Sequence, residues 1–240
     1  MASDGRFEGI IGDEYEIFRK ALPHYDELQE GVGLHIAEHL STKSIQEPLI
    51  LEIGCGTGHT TEAILRSNPT ARVISIDNEP KMMEVTTQRL HDYVSAGRLI
   101  VLEHDALYHL QFIASNFIDA IASAFTIHNF PKHYRNHVLT LAYRALKHGG
   151  MFINADKYVS EDSSEHVAAF EAEMRMLRDT ADAAGIPELY TSWYNHYLED
   201  EKPERIMRES ESIAQLKKIG FMDVRKTYRH LLEAIVCARK

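Results

Sequence analysis

Cysteine is nearly missing: the 240 residues hold two, Cys55 and Cys237. That is too few for a disulfide framework and suits a reducing compartment. Long apolar runs are missing as well. None approaches the roughly 20 residues of a membrane helix, and the start MASDGRFEGI lacks the charged-then-apolar pattern of a secretion signal. Basic charge is in deficit, with 26 Lys and Arg against 36 Asp and Glu for a net charge of −10. This argues against nucleic-acid and anionic-membrane surfaces, which need basic patches. Low-complexity segments and internal repeats are absent. The remainder reads as a globular cytoplasmic protein whose partner is a small molecule, and a homodimer is compatible with it. The length suits one domain carrying an insertion, since single cores stop growing at roughly 250–300 residues.

Hydrophobic periodicity divides the chain. Leu28, Val32, Ile36 and Leu40 recur four apart on one helix face, with Pro23 breaking the helical stretch before them. Residues 1–47 therefore read as an N-terminal helical cap. From residue 48 onward, the β-rich runs LILEI, RVISI, LIVLE, IDAIASA and MFINAD alternate with helices near 59–67, 80–96, 108–115 and 131–147. Such alternation predicts a parallel sheet with helices on both faces. A helical insertion then interrupts the pattern over 157–200. Val167, Phe170, Met174, Leu177 and Ala181 mark one of its helix faces, DSS its start and Gly185 its end. A last helix stops at Gly220, and two β-like runs close the chain as an antiparallel hairpin.

The stretch LEIGCGTGHT carries the clearest chemistry. Gly54, Gly56 and Gly58 follow a strand and open a helix, so backbone can approach a ligand closely there. Asp77 ends the next strand, where a carboxylate accepts hydrogen bonds from both ribose hydroxyls of an adenosine ligand. A phosphate-binding loop is excluded because no Lys–Ser/Thr pair follows the glycines. The choice left is between an NAD-like and an S-adenosylmethionine-like ligand, and the lack of a basic partner near the loop leans away from a pyrophosphate.

These motifs, together with VISIDNEPKM, EHDA, LKHGGMFI and the final hairpin, resemble the class I S-adenosylmethionine-dependent methyltransferases over residues 49–240. The resemblance implies a Rossmann-like, seven-stranded, mostly parallel α/β sheet with S-adenosyl-L-methionine as cofactor. It implies that Glu52, Gly54 and Gly56 line the methionine end, that Asp77 holds the ribose, and that Asp105 and Ala106 border the adenine, flanked by Asn78 and Met82. Cys55, Ala124 and Phe125 complete that cofactor set, Cys55 as a small packing residue. Within the family, ALPHYDEL, IDNEPKM, FTIHNF and ADKYVSED are most similar to the carboxy-S-adenosylmethionine synthase branch, which acts in tRNA modification, and Tyr25 matches it. Two positions depart. The Arg with which that branch grips its extra carboxylate falls near His196, and its Asn beside the fourth strand falls on Ala124.

The expectation is therefore methyl transfer to an oxygen or nitrogen of a small molecule. The alternatives are a carboxylated-cofactor or tRNA-modifying enzyme, and a cofactor-binding protein without catalysis. Because the sulfonium supplies its own leaving group, the protein has to align the acceptor and, where needed, remove a proton. His128, at the carboxyl end of the fourth strand, is the first candidate base, and His196 in the aromatic insertion the second. Asn129, Trp193, Tyr194 and Tyr197 are expected to line the acceptor pocket, and Asp156 to point into its mouth. The pairs His35/His39 and His133/His137 have helical metal-ligand spacing but lack the third and fourth ligands of a zinc site, so no metal is expected.

Overall fold

Runs of Val, Ile and Leu bounded by turns make the sheet, because β-branched side chains fit a pleated, buried surface. The computed structural model describes Arg6, Phe7 and residues 9–240. Residues 1–5 and 8 of the expected cap lie outside that range. The cap consists of α1 (Ile10–Asp13), α2 (Tyr15–Ala21) and α3 (Tyr25–Ser41). Then come β1 (Leu49–Ile53), α4 (His59–Ser67), β2 (Arg72–Asp77), α5 (Pro80–Arg89), α6 (His91–Ser95), β3 (Leu99–Glu103), α7 (Ala106–Phe112) and β4 (Ile118–Ala124). After a short 3-10 turn at Ile127–Asn129, the chain runs through α8 (Lys132–Ala145), β5 (Leu146–Lys157), α9 (Ser163–Ala183), α10 (Pro187–Asp200), α11 (Glu209–Ile219), β6 (Met222–His230) and β7 (Glu233–Arg239).

The seven strands form one sheet in the order β3-β2-β1-β4-β5-β7-β6. The first five are parallel, and β7 runs antiparallel to both β5 and β6. Between β1 and β4 the connections turn to opposite faces, leaving a crevice beyond their carboxyl ends, the usual ligand position in open α/β sheets. β4 is buried throughout, as a central strand covered on both faces must be. One face is packed by Val32 and Ile36 of α3 and Ile64 and Leu65 of α4, the other by Leu110, Val138, Leu139 and Leu216. Among the described residues no helix is long and apolar enough to cross a membrane.

The insertion is two helices. Asp162 caps α9 by accepting from the amides of Ser164 and Glu165, and Gly185, at φ +74°, turns the chain into α10. α9 packs on α2, and α10 packs on α9 and α1, which brings the insertion onto the cap. Three boundaries differ from the pattern reading. The helix expected over 80–96 breaks at Leu90, and the one expected near 108–115 begins at Ala106, where the Asp105 carboxylate caps the Tyr108 amide at 2.9 Å. β5 starts at Leu146 rather than Met151, because Leu146 already pairs with Ile118 of β4 and Gly149 bonds to Lys240.

Gly33 marks the closest approach of α3 to α4. A Cβ there would stand 2.4 Å from the Ala63 carbonyl oxygen, and that neighbour is backbone. Gly33→Ala is expected to cost about 1–3 kcal/mol of overpacking, less about 1 kcal/mol regained in helix propensity. Gly31→Ala meets only the end of the Ile235 side chain at 2.7 Å and is expected to come out near neutral. Urea unfolding of both variants checks the contrast.

Candidate active site

The crevice is shaped first by backbone. Gly54 has φ +78°, and a Cβ on it would lie 2.0 Å from Thr126 Oγ1, so only glycine lets the ends of β1 and β4 come this close. Gly56 has φ +50° and open space where a Cβ would be. Its amide donates to Asp77 Oδ2 at 2.8 Å, and the Glu79 amide donates to Oδ1 at 3.0 Å. Burial raises the Asp77 carboxyl, while these backbone donors pull it back towards ionisation. A carboxylate offers roughly four lone-pair sites, so Asp77 keeps acceptor capacity for a ligand's hydroxyl groups beyond these donors. The cleft that results has a volume of about 340 Å³.

Of the expected cofactor residues, Tyr25, Gly54, Cys55, Gly56, Asp77, Asn78, Met82, Asp105, Ala106, Ala124 and Phe125 line this cleft, as does Asn129. Glu52 does not. Its side chain is fully buried behind β1 and accepts hydrogen bonds from Thr61 and Ser75 at 2.6 Å each. Burial pushes it up to about 7. The reason is strand alternation, which sends Glu52 towards α4 while the next residues reach the crevice. Asp105 lines the cleft but spends its carboxylate on the α7 cap and on the Tyr134 hydroxyl at 2.7 Å. Burial pushes the Cys55 thiol up, in keeping with a packing role. Thr57 Oγ1 and Asn129 Oδ1 are buried without a hydrogen-bond partner among the described residues and stand on residues of the cleft wall, so a bound group carrying donors and acceptors would satisfy them.

The cap roofs one end. Tyr15 and Tyr25 line the cleft; their rings meet edge to face at 6.5 Å, and Tyr25 stacks parallel to Phe125 at 5.3 Å. Burial pushes Tyr15 up to about 12. Glu16 of α2 reaches His59, the first residue of α4, with 2.8 Å between Oε1 and Nε2. Arg89 lies 3.1 Å from His59 Nδ1. A proton on Nε2 serves both contacts, and burial, the largest influence, keeps this imidazole neutral to lower pH than usual.

The two candidate bases stand together, but not in the cleft. His128, the middle residue of the 3-10 turn, is buried, its Nδ1 bonded to Asp156 Oδ1 and its Nε2 3.6 Å from Asp200 Oδ2. His196 presents Nε2 to the same oxygen at 4.0 Å. Asp200 also pairs with Lys157 and Arg6. Burial alone would raise the Asp200 carboxyl, but Lys157, the two histidines and Arg6 hold it well below the carboxylate range. His128 and His196 are both lowered, burial being the main cause. Nitrogen and oxygen atoms of His128, His196 and Asp200 lie within 4.8 Å of one another, a metal-like grouping whose carboxylate already has two cationic partners. Asp156 is fully buried and accepts from His128 and the Lys157 amide, so it does not face the mouth.

The aromatic residues of the insertion also correct the expectation. Trp193 is buried and stacks on Phe18 at 4.1 Å; Tyr197 is buried, donates to Glu173 at 3.0 Å and lies 3.8 Å beneath Lys157 Nζ. Tyr194 packs against Phe170 and Tyr190 along an outer groove. Their helix turns these rings towards α9 and the cap, where burying a large apolar ring is most favourable. Phe7, Tyr15, Phe125 and Phe130 supply the aromatic wall of the cleft instead, together with Arg205 and His133. His59 was readable, directly following the glycines. No local pattern points to Phe7 or Arg205, which arrive from distant segments.

Residues 50–150 match a family model described as a methyltransferase domain. The chain is similar to the carboxy-S-adenosyl-L-methionine synthase of Klebsiella pneumoniae (strain 342), with 27% identity over 200 residues, 82% of this chain and 76% of that protein. The synthase of Actinobacillus succinogenes is 25% identical over 224 residues, 92% of this chain and 87% of its own. Among solved structures, the CurJ carbon methyltransferase superposes with a TM-score of 0.67 at 18% identity, covering 95% of this chain and 58% of that one. An O-methyltransferase family protein from Burkholderia thailandensis gives 0.66 at 14% identity, covering 100% and 63%. The chain thus spans about three fifths of those solved chains, and the likeness to them is one of fold.

Glu52 makes the site's framework sensitive to pH. Its folded value of about 7 lies above the reference 4.5, so the folded state holds the proton more tightly. The stability this contributes is fully present below about 4.5 and is lost as pH rises through about 7, roughly 3 kcal/mol in all. Glu52→Gln should flatten that part of the stability–pH curve, measured by denaturant unfolding from pH 5 to 8; an unchanged slope would assign it to other groups.

Proposed function

We propose that this chain, which belongs to the class I S-adenosylmethionine-dependent methyltransferase family, transfers the cofactor's methyl group to an oxygen or nitrogen of a small-molecule acceptor. The observation that carries the reading is a juxtaposition. The Gly54–Gly56–Asp77 cleft ends at the loop after β4, and behind that loop stands a histidine held by a buried carboxylate.

The donor set fits S-adenosyl-L-methionine. Asp77 keeps acceptor capacity for ribose hydroxyls, Gly56 leaves the backbone open, and Thr57 and Asn129 have buried polar atoms in need of partners. When bound, the cofactor supplies an electrophilic methyl group on a sulfonium that leaves as a neutral thioether. The chain's own residues orient and dehydrate. Tyr15, Tyr25 and Phe125 wall the cleft, and the 1–47 cap and the 157–200 insertion act as a lid over the acceptor. Asp156 accepts from His128 Nδ1, which selects the tautomer with a basic Nε2. That Nε2 takes the acceptor's proton. Phe7 lies against the His196 ring at 5.3 Å, and Arg6 bonds to the Asn129 and His196 carbonyls, so this segment moves aside for the acceptor to reach His128.

The carboxy-S-adenosyl-L-methionine synthases among its relatives support a second reading, in which the preferred cofactor carries an extra carboxylate. Against it, His196 stands near the position of that branch's gripping Arg and is buried and neutral.

S-adenosylmethionine should raise the melting temperature, and Asp77→Ala should abolish the shift while NADH produces none. With labelled cofactor and a pool of hydroxyl and amine metabolites, His128→Asn should lower turnover by about 10²–10⁴-fold with cofactor affinity unchanged. Because burial lowers His128, wild-type turnover should persist to lower pH than an ordinary imidazole base allows, read from the pH–rate profile. Unchanged turnover in His128→Asn removes it as base, and tighter binding of the carboxylated cofactor would replace the first reading with the second.

A further inference from the structure

A second cavity, also of about 340 Å³, lies on the other sheet face between α8, α11 and β5. It shares no lining residue with the cofactor cleft. Its deeper walls are apolar, made by Leu139, Phe152, Met207 and Leu216, but three buried polar side chains, Arg135, Asn154 and Tyr158, interrupt them.

Arg135 is 6% exposed, and its hydrogen bonds go only to carbonyls: Nε to Ile127 at 3.2 Å, Nη2 to Phe130 at 3.0 Å, to His128 at 3.3 Å and to Arg205. Asp156 and Asp200 act on it at longer range, and among the described residues no carboxylate bonds to it directly. A buried guanidinium in an apolar wall is costly unless a counter-charge meets it. Beside it, Asn154 Nδ2 donates to the Tyr158 hydroxyl at 2.8 Å, while Asn154 Oδ1 is buried with no partner among the described residues. Tyr158 accepts that bond and retains a proton to donate. The rim carries Lys132, Arg208 and Lys218 against Glu211, a surplus of positive charge in a chain whose net charge is −10.

We propose that this cavity is a second ligand site, for a small 2-hydroxycarboxylate with an apolar side chain. The carboxylate meets Arg135 and the Tyr158 hydroxyl, the 2-hydroxyl donates to Asn154 Oδ1, and the side chain lies along Leu139, Met207 and Leu216. Each of the three polar features thereby gains the partner it lacks: an anion for the guanidinium, an acceptor for the phenol and a donor for the amide oxygen. A plain fatty acid satisfies the first two only.

Calorimetry on the full chain with saturating S-adenosylmethionine tests this, with 3-phenyllactate, 3-phenylpropionate and phenyllactate methyl ester as probes. Phenyllactate should bind saturably, phenylpropionate about five-fold or more weakly for want of one hydrogen bond, and the ester not detectably. Ala214→Trp, on the exposed rim, should abolish phenyllactate binding and leave the cofactor's thermal shift intact. Asn154→Leu should make the two acids bind equally. Absence of phenyllactate binding, equal binding of the two acids to the wild type, or binding that survives Ala214→Trp would each overturn the proposal. The wild-type comparison stands even if a variant fails to fold.

Discussion

The Gly56 amide and the Asp77 carboxylate come from the ends of two neighbouring strands, and the 2.8 Å bond between them sets the shape of the cleft. It holds the glycine loop in its positive-φ course and, with the Glu79 amide, turns the chain after β2 away from the ligand space. The strand order puts β1 between β2 and β4, so a loop fixed on the β2 side leaves its opening towards β4. There Gly54 meets Thr126, and the loop after β4 becomes the far wall. Both walls of the cleft are therefore positioned by one piece of backbone.

A second network closes the other end. Asp200 of α10 pairs with Lys157 of β5 and Arg6 of the N-terminal segment, and faces His128 and His196. Buried charges of this kind add little net stability over apolar packing, but removing one partner leaves another stranded, so they tie their elements to one geometry. In this chain they join the insertion, the sheet and the start of the cap. The Asp156–His128 pair lies inside that knot. The packing that buries His128, and with it lowers the imidazole, also stands between it and the cleft, so the proposed base is reached only by movement of the N-terminal segment.

Much of the architecture was readable in advance. Alternating β-rich and helical runs gave the parallel sheet and the terminal hairpin, since side-chain period follows from backbone geometry. The boundaries at Ala106 and Leu146 differ because a side-chain cap and a distant pairing partner set the ends of those elements. In the site, the residues next to glycines and strand ends fell in the cleft as expected: Gly54, Gly56, Asp77, Asn78, Asp105 and Phe125. Glu52 was misplaced by one step of strand alternation, and the insertion aromatics by the helix face they occupy.

The sequence by itself determined where backbone must bend tightly and which carboxylate follows, because glycine spacing and strand periodicity are local properties. It also determined that helices precede and interrupt the sheet. Tertiary structure alone decided that His128 and His196 share Asp200, that Trp193 packs on Phe18 instead of lining the cleft, and that Phe7, Tyr15 and Arg205 do line it. The physical reason is that helical periodicity states only that a face is buried. Which neighbour buries it depends on how elements far apart in the chain exclude water together.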